Sequence, residues 1–417
     1  MSDKEILVPW VDKILELAGK PEQEIKKKLW ADHQDLRGTV KAPVSVYYEG
    51  IPGPQWDVIL GAGFRKCVGE TAREIEFFLR RVIWAAENVA DDHIVWPLMK
   101  LWVPTLKKRG WGVNTEHTGT HNPLEAAALA ASMKGPIDVS ILTEPLWEVD
   151  EAAWARKKEE ALALTENRLD IYAYHDNLGT SPFDMAAEMR GIEQIMMDAI
   201  DDPDDLHRLM DFITSAYEKQ HLFREKKGWL NQQLVDRSGN YQPVLEHRIH
   251  CAHMTHGNRN NDRTPRLRHE WPYVSAQTSS GFGPDMFKEF VHDYNCRLAR
   301  HFSQKTVYYH GCETLDQKII HTQHLPNLRR QHVSPWSTVA RAVEVLQGKA
   351  VMEVHAHPGK VLFGMTESDM RKEIRGLLDA AKEMPMDLNL SDIHTLNGKS
   401  ETLALWARVA QEEATKR

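Results

Sequence analysis

Residues 306–357 read TVYYHGCETLDQKIIHTQHLPNLRRQHVSPWSTVARAVEVLQGKAVMEVHAH. Three short apolar runs lie in it, Thr306–Tyr309, Gln331–Ser334 and Ala350–Val354, and each gives way to polar side chains. The same pattern extends outward through His93–Trp96, Asp170–Tyr174, Trp229–Val235 and Tyr273–Gln277 on one side and Asp387–Leu390 on the other. Amphipathic stretches separate most of these runs. At 203–219, Leu206, Leu209, Met210 and Ile213 share one stripe, and Asp202 before Pro203 is a helix start signal. Strand–helix alternation of this length predicts a parallel sheet, and about eight strands predict a closed (β/α)8 barrel of the TIM type.

Upstream of the alternation the chain reads differently. Residues 4–35 predict a charged helical arm, and Ala42–Gly50 a short strand stopped by Gly50, Pro52, Gly53 and Pro54. Ile75, Phe78, Leu79 and Val82 place one apolar face on a helix over 69–88. The expected organisation is an N-terminal helical extension with a short strand over 1–90, packed on a barrel domain over 91–417.

Composition narrows the function classes. The 417 residues carry a net charge of −8 with no Lys/Arg block, which disfavours a nucleic-acid partner. No apolar run approaches the ~18 residues of a membrane span, and the N-terminus lacks the apolar core of a signal peptide. Four cysteines in so long a chain make no disulfide framework, so the expected location is the reducing cytoplasm. The 21 histidines matter more, because histidine is the commonest metal ligand and titrates near neutrality.

In a barrel the chemistry sits at the C-terminal ends of the strands. Four runs end in reactive side chains: Tyr174 leads into His175 and Asp176, Tyr309 into His310-Gly311-Cys312-Glu313, Val354 into His355-Ala356-His357, and Leu390 into Ser391-Asp392-Ile393-His394. Residues i and i+2 at a strand end point the same way, so His310 and Cys312 can ligate one ion together. Imidazole and thiolate suit zinc, with a position left open for substrate. The other reading is a buried cysteine beside a hydrogen-bonded histidine. No cysteine follows Cys312, so further ligands come from Glu313, His355 or His357, or those histidines bind substrate or backbone instead. His247, His250, His253 and His256, with Cys251 among them, sit in an Asn-rich stretch that reads as a loop at the pocket edge; Glu116, His117 and His121 form a weaker group. Asp392 and His394 are candidates to orient substrate or act as an acid/base pair, with His175 beside them. Asp392-Ile393-His394 comes near the Asp-x-His-x-x-Gly signature for cobalamin, but the glycine is one place late and only 19 residues follow Gly398. The chain is therefore not expected to carry its own cobalamin domain.

At these residues the sequence resembles the uroporphyrinogen decarboxylase superfamily, and within it the zinc-dependent, corrinoid-linked methyltransferases. The likeness runs through Asp202-Pro203 and the Leu206–Phe212 helix, Ser279–Phe287, Tyr309–Leu315, 325–329 (LPNLR), 333–336 (VSPW) and Asp392-Ile393-His394-Thr395. It implies a (β/α)8 barrel. It also implies a zinc held by a His-x-Cys pair and a distant second cysteine; His310 and Cys312 match the pair, and the second cysteine is missing. Related members carry Gly-Cys-Cys-Glu where this chain has His310-Gly311-Cys312-Glu313, which makes Glu313 the natural substitute. The Arg-rich N-terminal motif of the decarboxylases is absent.

The resemblance implies methyl transfer between a small methylated substrate or acceptor and a corrinoid cofactor on a separate corrinoid-binding protein, docked over the barrel mouth. Trp96, Trp102 and Trp111 are candidates to wall that mouth, or they pack in the core. A uroporphyrinogen-decarboxylase-like lyase and a metal-dependent hydrolase are the alternatives on the same barrel, and a homodimer remains open.

Overall fold

A computed structural model describes residues 1–39, 41–114, 131–175, 181–230, 234–235, 241–242, 266–302 and 307–416. Its strands are β1 (Val44–Val46), β2 (Leu98–Trp102), β3 (Thr105–Arg109), β4 (Leu146–Val149), β5 (Asp170–Tyr174), β6 (Leu234–Val235), β7 (Tyr241–Gln242), β8 (Tyr273–Ser275), β9 (Val307–His310), β10 (Leu328–Val333), β11 (Val351–His355) and β12 (Met386–Leu390). Six of them form one sheet in the order β1-β12-β11-β10-β9-β8, and every pairing in it is parallel. A second parallel pair joins β2 to β5. The fold is α/β.

The helices between these strands are built as the sequence implies. The arm at the N-terminus is two helices, Asp3–Ala18 and Pro21–Gln34, broken at Gly19-Lys20. Ser2 and Glu5 form a reciprocal capping box on the first helix. Its buried stripe of Leu7, Val11, Ile14 and Leu17 packs with Ile75, Phe78, Leu79 and Val82 of helix Glu70–Asn88. Helix Pro203–Lys227 runs beyond the expected 219 and ends where Gly228 takes a left-handed conformation, φ 74°.

Three details differ from the sequence expectation. The extension over 1–90 supplies a strand of the main sheet, since Val44–Val46 pairs with Leu388–Leu390. His93–Trp96 is not a strand: the Asp91 carboxylate accepts the His93 N–H at 3.1 Å and turns the chain, and β2 begins only after Pro97. Within Trp229–Val235, the described part is extended only at Leu234–Val235, which pairs antiparallel with Tyr241–Gln242. Among the described residues, eight strands run in parallel ladders, six in the main sheet and β2 and β5 as a separate pair.

The two faces of the main sheet have opposite character. Val44, Val46, Val333, Met352, Val354, Leu388 and Leu390 join an apolar cluster with helices Val339–Leu346, Glu367–Ala381 and Glu401–Ala414. Val274, Val307 and Tyr309 face a second cluster, built on helices Pro182–Arg190 and Pro203–Lys227. The alternate residues are the ones that carry chemistry. Among the described residues, no helix is long and apolar enough to cross a membrane.

Candidate active site

Period-2 alternation puts Tyr273 and Ser275 of β8, Tyr308 and His310 of β9, Arg330 and His332 of β10, Glu353 and His355 of β11, and Asp387 and Asn389 of β12 on the face opposite the helices. All but Tyr273 are buried. Ionisable groups in such a place are tolerated only when paired, because each charge taken out of water costs several kcal/mol on the order-of-magnitude scale.

The lower part of this face meets that requirement fully. The Arg330 guanidinium, 0 % exposed, donates to Glu353 Oε2 at 2.6 Å and to Asp387 Oδ1 at 2.9 Å. Burial opposes its charge, but Asp387 and Glu353 outweigh burial and hold it protonated. Asp387 also bonds His33 Nε2 at 2.8 Å, an imidazole inserted from helix Pro21–Gln34. Burial alone would raise the Asp387 carboxyl; Arg330 and His33 reverse that and bring it down to about 2.

Above this layer, Glu353 is a hub. Its Oε1 accepts from the Tyr308 hydroxyl at 2.8 Å and lies 2.7 Å from His355 Nε2. His355 Nδ1 is 2.6 Å from the Ser391 hydroxyl. Tyr308 Oη is 2.8 Å from His310 Nδ1, and His332 Nδ1 is 2.7 Å from that same nitrogen. His310 Nε2 points the other way, 3.1 Å from Cys312 Sγ. Rings reinforce the arrangement: Tyr273 stacks on His310 at 4.6 Å between centroids, and His332 on His355 at 4.0 Å.

The loop after β9 completes the site. Glu313 Oε1 accepts from Lys318 Nζ at 3.3 Å, and the two side chains are only 7 % and 4 % exposed. Lys318 also donates to the Ser279 carbonyl at 2.9 Å. Burial raises the Glu313 carboxyl against the pull of Lys318, and burial lowers the Lys318 amine. The other carboxylate oxygen, Glu313 Oε2, is buried and makes no hydrogen bond among the described residues. It lies where a side chain on residue 311 would be: a Cβ there would stand 2.7 Å away, so glycine lets the carboxylate fold over the backbone. Beside His310 in the ladder, Ser275 bonds Ser181 at 2.5 Å and Asp184 at 3.2 Å.

Among the described residues, no group of three or more His, Cys, Asp or Glu side chains is placed to hold a metal ion. Of the five expected ligands, the structure brings His310 and Cys312 together. Glu313 is turned to Lys318, both ring nitrogens of His355 face Glu353 and Ser391, and His357 caps helix Pro358–Phe363 and meets Trp336 at 4.7 Å. Asp392 and His394 are exposed on the turn after β12, where Asp392 takes φ 57°. Their neighbour Ser391 is the residue that reaches the site. His175 is buried at the end of β5, where desolvation, aided by Arg224, lowers it to about 3 and keeps it neutral. Trp96 and Trp111 belong to apolar clusters, whereas Trp102 is 49 % exposed with Tyr174 at 4.1 Å. Asp176, the 116–121 group and the 247–256 histidines lie outside the described residues.

Sequence reasoning did not single out Tyr308, Arg330, His332, Glu353 or Asp387 as site residues, and it named Ser391 only as the lead-in to Asp392 and His394. A usable signal was there: polar residues at i and i+2 on four successive strands, with apolar residues between them on three of the four.

No family model and no curated protein sequence matches the chain. Its fold is similar to that of a solved methyltransferase from Methanosarcina mazei, with TM-score 0.53 at 13 % identity, over 93 % of this chain and 98 % of that one.

Proposed function

We propose that this chain is a methyltransferase that moves a methyl group between a small substrate and a corrinoid carried by a separate protein, on a closed (β/α)8 barrel. The observation that carries the reading is the His310 Nε2–Cys312 Sγ pair, 3.1 Å apart at the end of β9. Two ligands on one tetrahedral zinc, at bond lengths of ~2.0 and ~2.3 Å, stand roughly 3.5 Å apart, so this pair has the chemistry and about the spacing of half a zinc shell. Glu313 Oε2 on the same loop, with no hydrogen bond among the described residues, is the donor that fits a third position. The methyltransferase likeness in fold and the pairing of the first strand with the last support the architecture.

A zinc held by His310, Cys312 and Glu313 would supply Lewis acidity toward a methyl donor's heteroatom, or toward an acceptor thiol. The chain's own residues do the rest. Glu353, anchored by Arg330, holds Tyr308 and His355 in place. Tyr273 shields one face of His310 from water. Lys318 balances the Glu313 carboxylate until a ligand reaches its other oxygen. Ser275 and Ser181 present hydroxyls next to His310, where they can orient a polar substrate group.

The test is metal content and turnover together. The purified chain should carry one zinc, and Cys312→Ala should lose both the metal and activity while staying folded. Incubation with methylated substrates, reduced cobalamin and a corrinoid protein should consume the cobalt(I) absorbance in step with demethylated product. Full metal content in Cys312→Ala ends the zinc assignment. Complete turnover without corrinoid moves the lyase or hydrolase reading to first place.

A further inference from the structure

Three hydroxyls and one carboxylate meet where helix Pro182–Arg190 begins against the end of β8. Asp184 Oδ1 accepts from the Thr278 backbone N–H at 2.9 Å and from the Thr278 hydroxyl at 2.7 Å, and Oδ2 accepts from the Ser275 hydroxyl at 3.2 Å. A carboxylate only accepts, and a serine has one hydroxyl proton to give. Ser275 gives its proton to Asp184, so the 2.5 Å contact between Ser275 and Ser181 is donated by Ser181. Ser181 stands at the N-cap of the helix, yet its side chain makes no capping bond. Its proton is spent inward, and its half-buried oxygen presents lone pairs only.

The charge around this acceptor is negative. Lys318 spends its three N–H groups on the Ser279 carbonyl, the Ser279 hydroxyl and Glu313, at 2.9, 3.0 and 3.3 Å. Among the described residues, Asp184 has hydroxyl and amide partners and no ion-pair partner. Two carboxylates, Asp184 and Glu313, thus stand against the one ammonium of Lys318. The field of Asp184 reaches the loop after β9: burial raises the Glu313 carboxyl most, and Asp184 adds to that rise against Lys318. The helix N-terminus brings about half a positive charge, which the full charge of Asp184 in the first turn outweighs.

We infer that Ser181, polarised through Ser275 by Asp184, is a specificity-determining residue that accepts a hydrogen bond from a cationic group of the substrate, of the class of a protonated amine. The inference rests on the reading of this mouth as the substrate site, given above, and deepens it by naming the charge of the small substrate. Ser275 is the ladder neighbour of His310, so a group held at Ser181 lies beside the residues at the end of β9. A carboxylate or sulfonate in the same place would meet lone pairs and like charge.

The full-length chain is titrated with three probes of similar size, propylammonium, propan-1-ol and propionate, and binding is followed by ligand-observed NMR. Propylammonium should bind about tenfold or more tightly than either of the others, the order of a hydrogen bond to a charged group. Ser181→Ala leaves every bond of Asp184 in place and removes only the acceptor. It should weaken propylammonium binding by about tenfold or more, with propionate binding and the thermal midpoint nearly unchanged. Should that variant fail to fold, Ser275→Ala, which cuts Ser181 off from Asp184, is read in its place with a severalfold loss expected. A parent that binds no propylammonium, a parent that binds propionate as tightly, or a variant within about twofold of the parent overturns the inference. The cobalt(I) assay is separate from these titrations. Corrinoid-dependent turnover of a neutral or anionic substrate by a parent that ignores propylammonium keeps methyl transfer and removes the cation site, whereas selective ammonium binding without corrinoid turnover keeps the cation site and removes methyl transfer.

Discussion

Two layers of the same sheet face are built from the same kinds of side chain and behave in opposite ways. In the lower layer, Arg330 is ion-paired with Glu353 and Asp387, Asp387 with His33, and all four side chains lie sealed from water. In the upper layer, the His310–Cys312 pair stands at the strand end, Cys312 is only partly buried, and Glu313 keeps one oxygen without a hydrogen bond among the described residues. Charges that already neutralise one another hold a ligand weakly. An incomplete set holds one better. The lower layer is a foundation, and the upper layer is where reactivity is to be sought.

Substitutions separate the two. Removal of the central cation is the largest test of the foundation: Arg330→Met leaves Glu353 and Asp387 buried without the guanidinium they share and should cost about 3–5 kcal/mol in chemical denaturation. A loss below about 1 kcal/mol would mean that water reaches this layer. In the upper layer, Cys312→Ala should shift stability by less than ~1 kcal/mol, yet lower turnover by more than the roughly 100-fold that loss of an outer partner costs a metal site. Equal damage to stability and activity would erase the distinction between the layers.

Acid provides a milder probe of the foundation. The folded Asp387 carboxyl lies near 2, below its ordinary value. Its contribution is therefore complete above the unfolded carboxylate range near pH 4, and it is lost as pH falls from there toward 2. Denaturation midpoints should hold down to about pH 4 and then drop, and the drop should flatten in Asp387→Asn. The smallest effect is expected at Gly311. A methyl group there meets Glu313 Oε2 at 2.7 Å, so Gly311→Ala should displace the carboxylate and weaken zinc binding severalfold with little change in the melting midpoint. A variant that binds zinc as tightly as the parent would take Glu313 out of the proposed shell.

The difference between the layers also explains what the sequence made legible. His310 and Cys312 stand two apart at the end of one strand, so their meeting is a local matter. Strand β5 and the cores of β8, β9, β11 and β12 are equally local, marked by short apolar runs. The foundation is not local. Arg330, Glu353 and Asp387 lie on three strands, and only the register that sets His332 beside Glu353 and Glu353 beside Asp387 brings them together. Read singly, each is a charge interrupting a strand. Strand parity would have corrected one candidate: Asp387 and Asn389 face the site, so Ser391 follows on that side, and the chain turns outward at Asp392. Pro97 likewise marks the true start of β2, which the apolar run His93–Trp96 obscured.

The pairing of β1 with β12 sets a timetable for the molecule's birth. Val44 leaves the ribosome long before Leu388, its partner in the ladder, is made. At about 5–20 residues per second the nascent strand waits on the order of half a minute for its partner. Throughout that interval the imidazole of His33 also lacks Asp387, and the apolar side of β1 lacks the helix Glu401–Ala414 that covers it. A growing chain with an unpaired strand edge and an uncovered apolar face is what chaperones bind. The length of that exposure is set by the stretch of chain between β1 and β12.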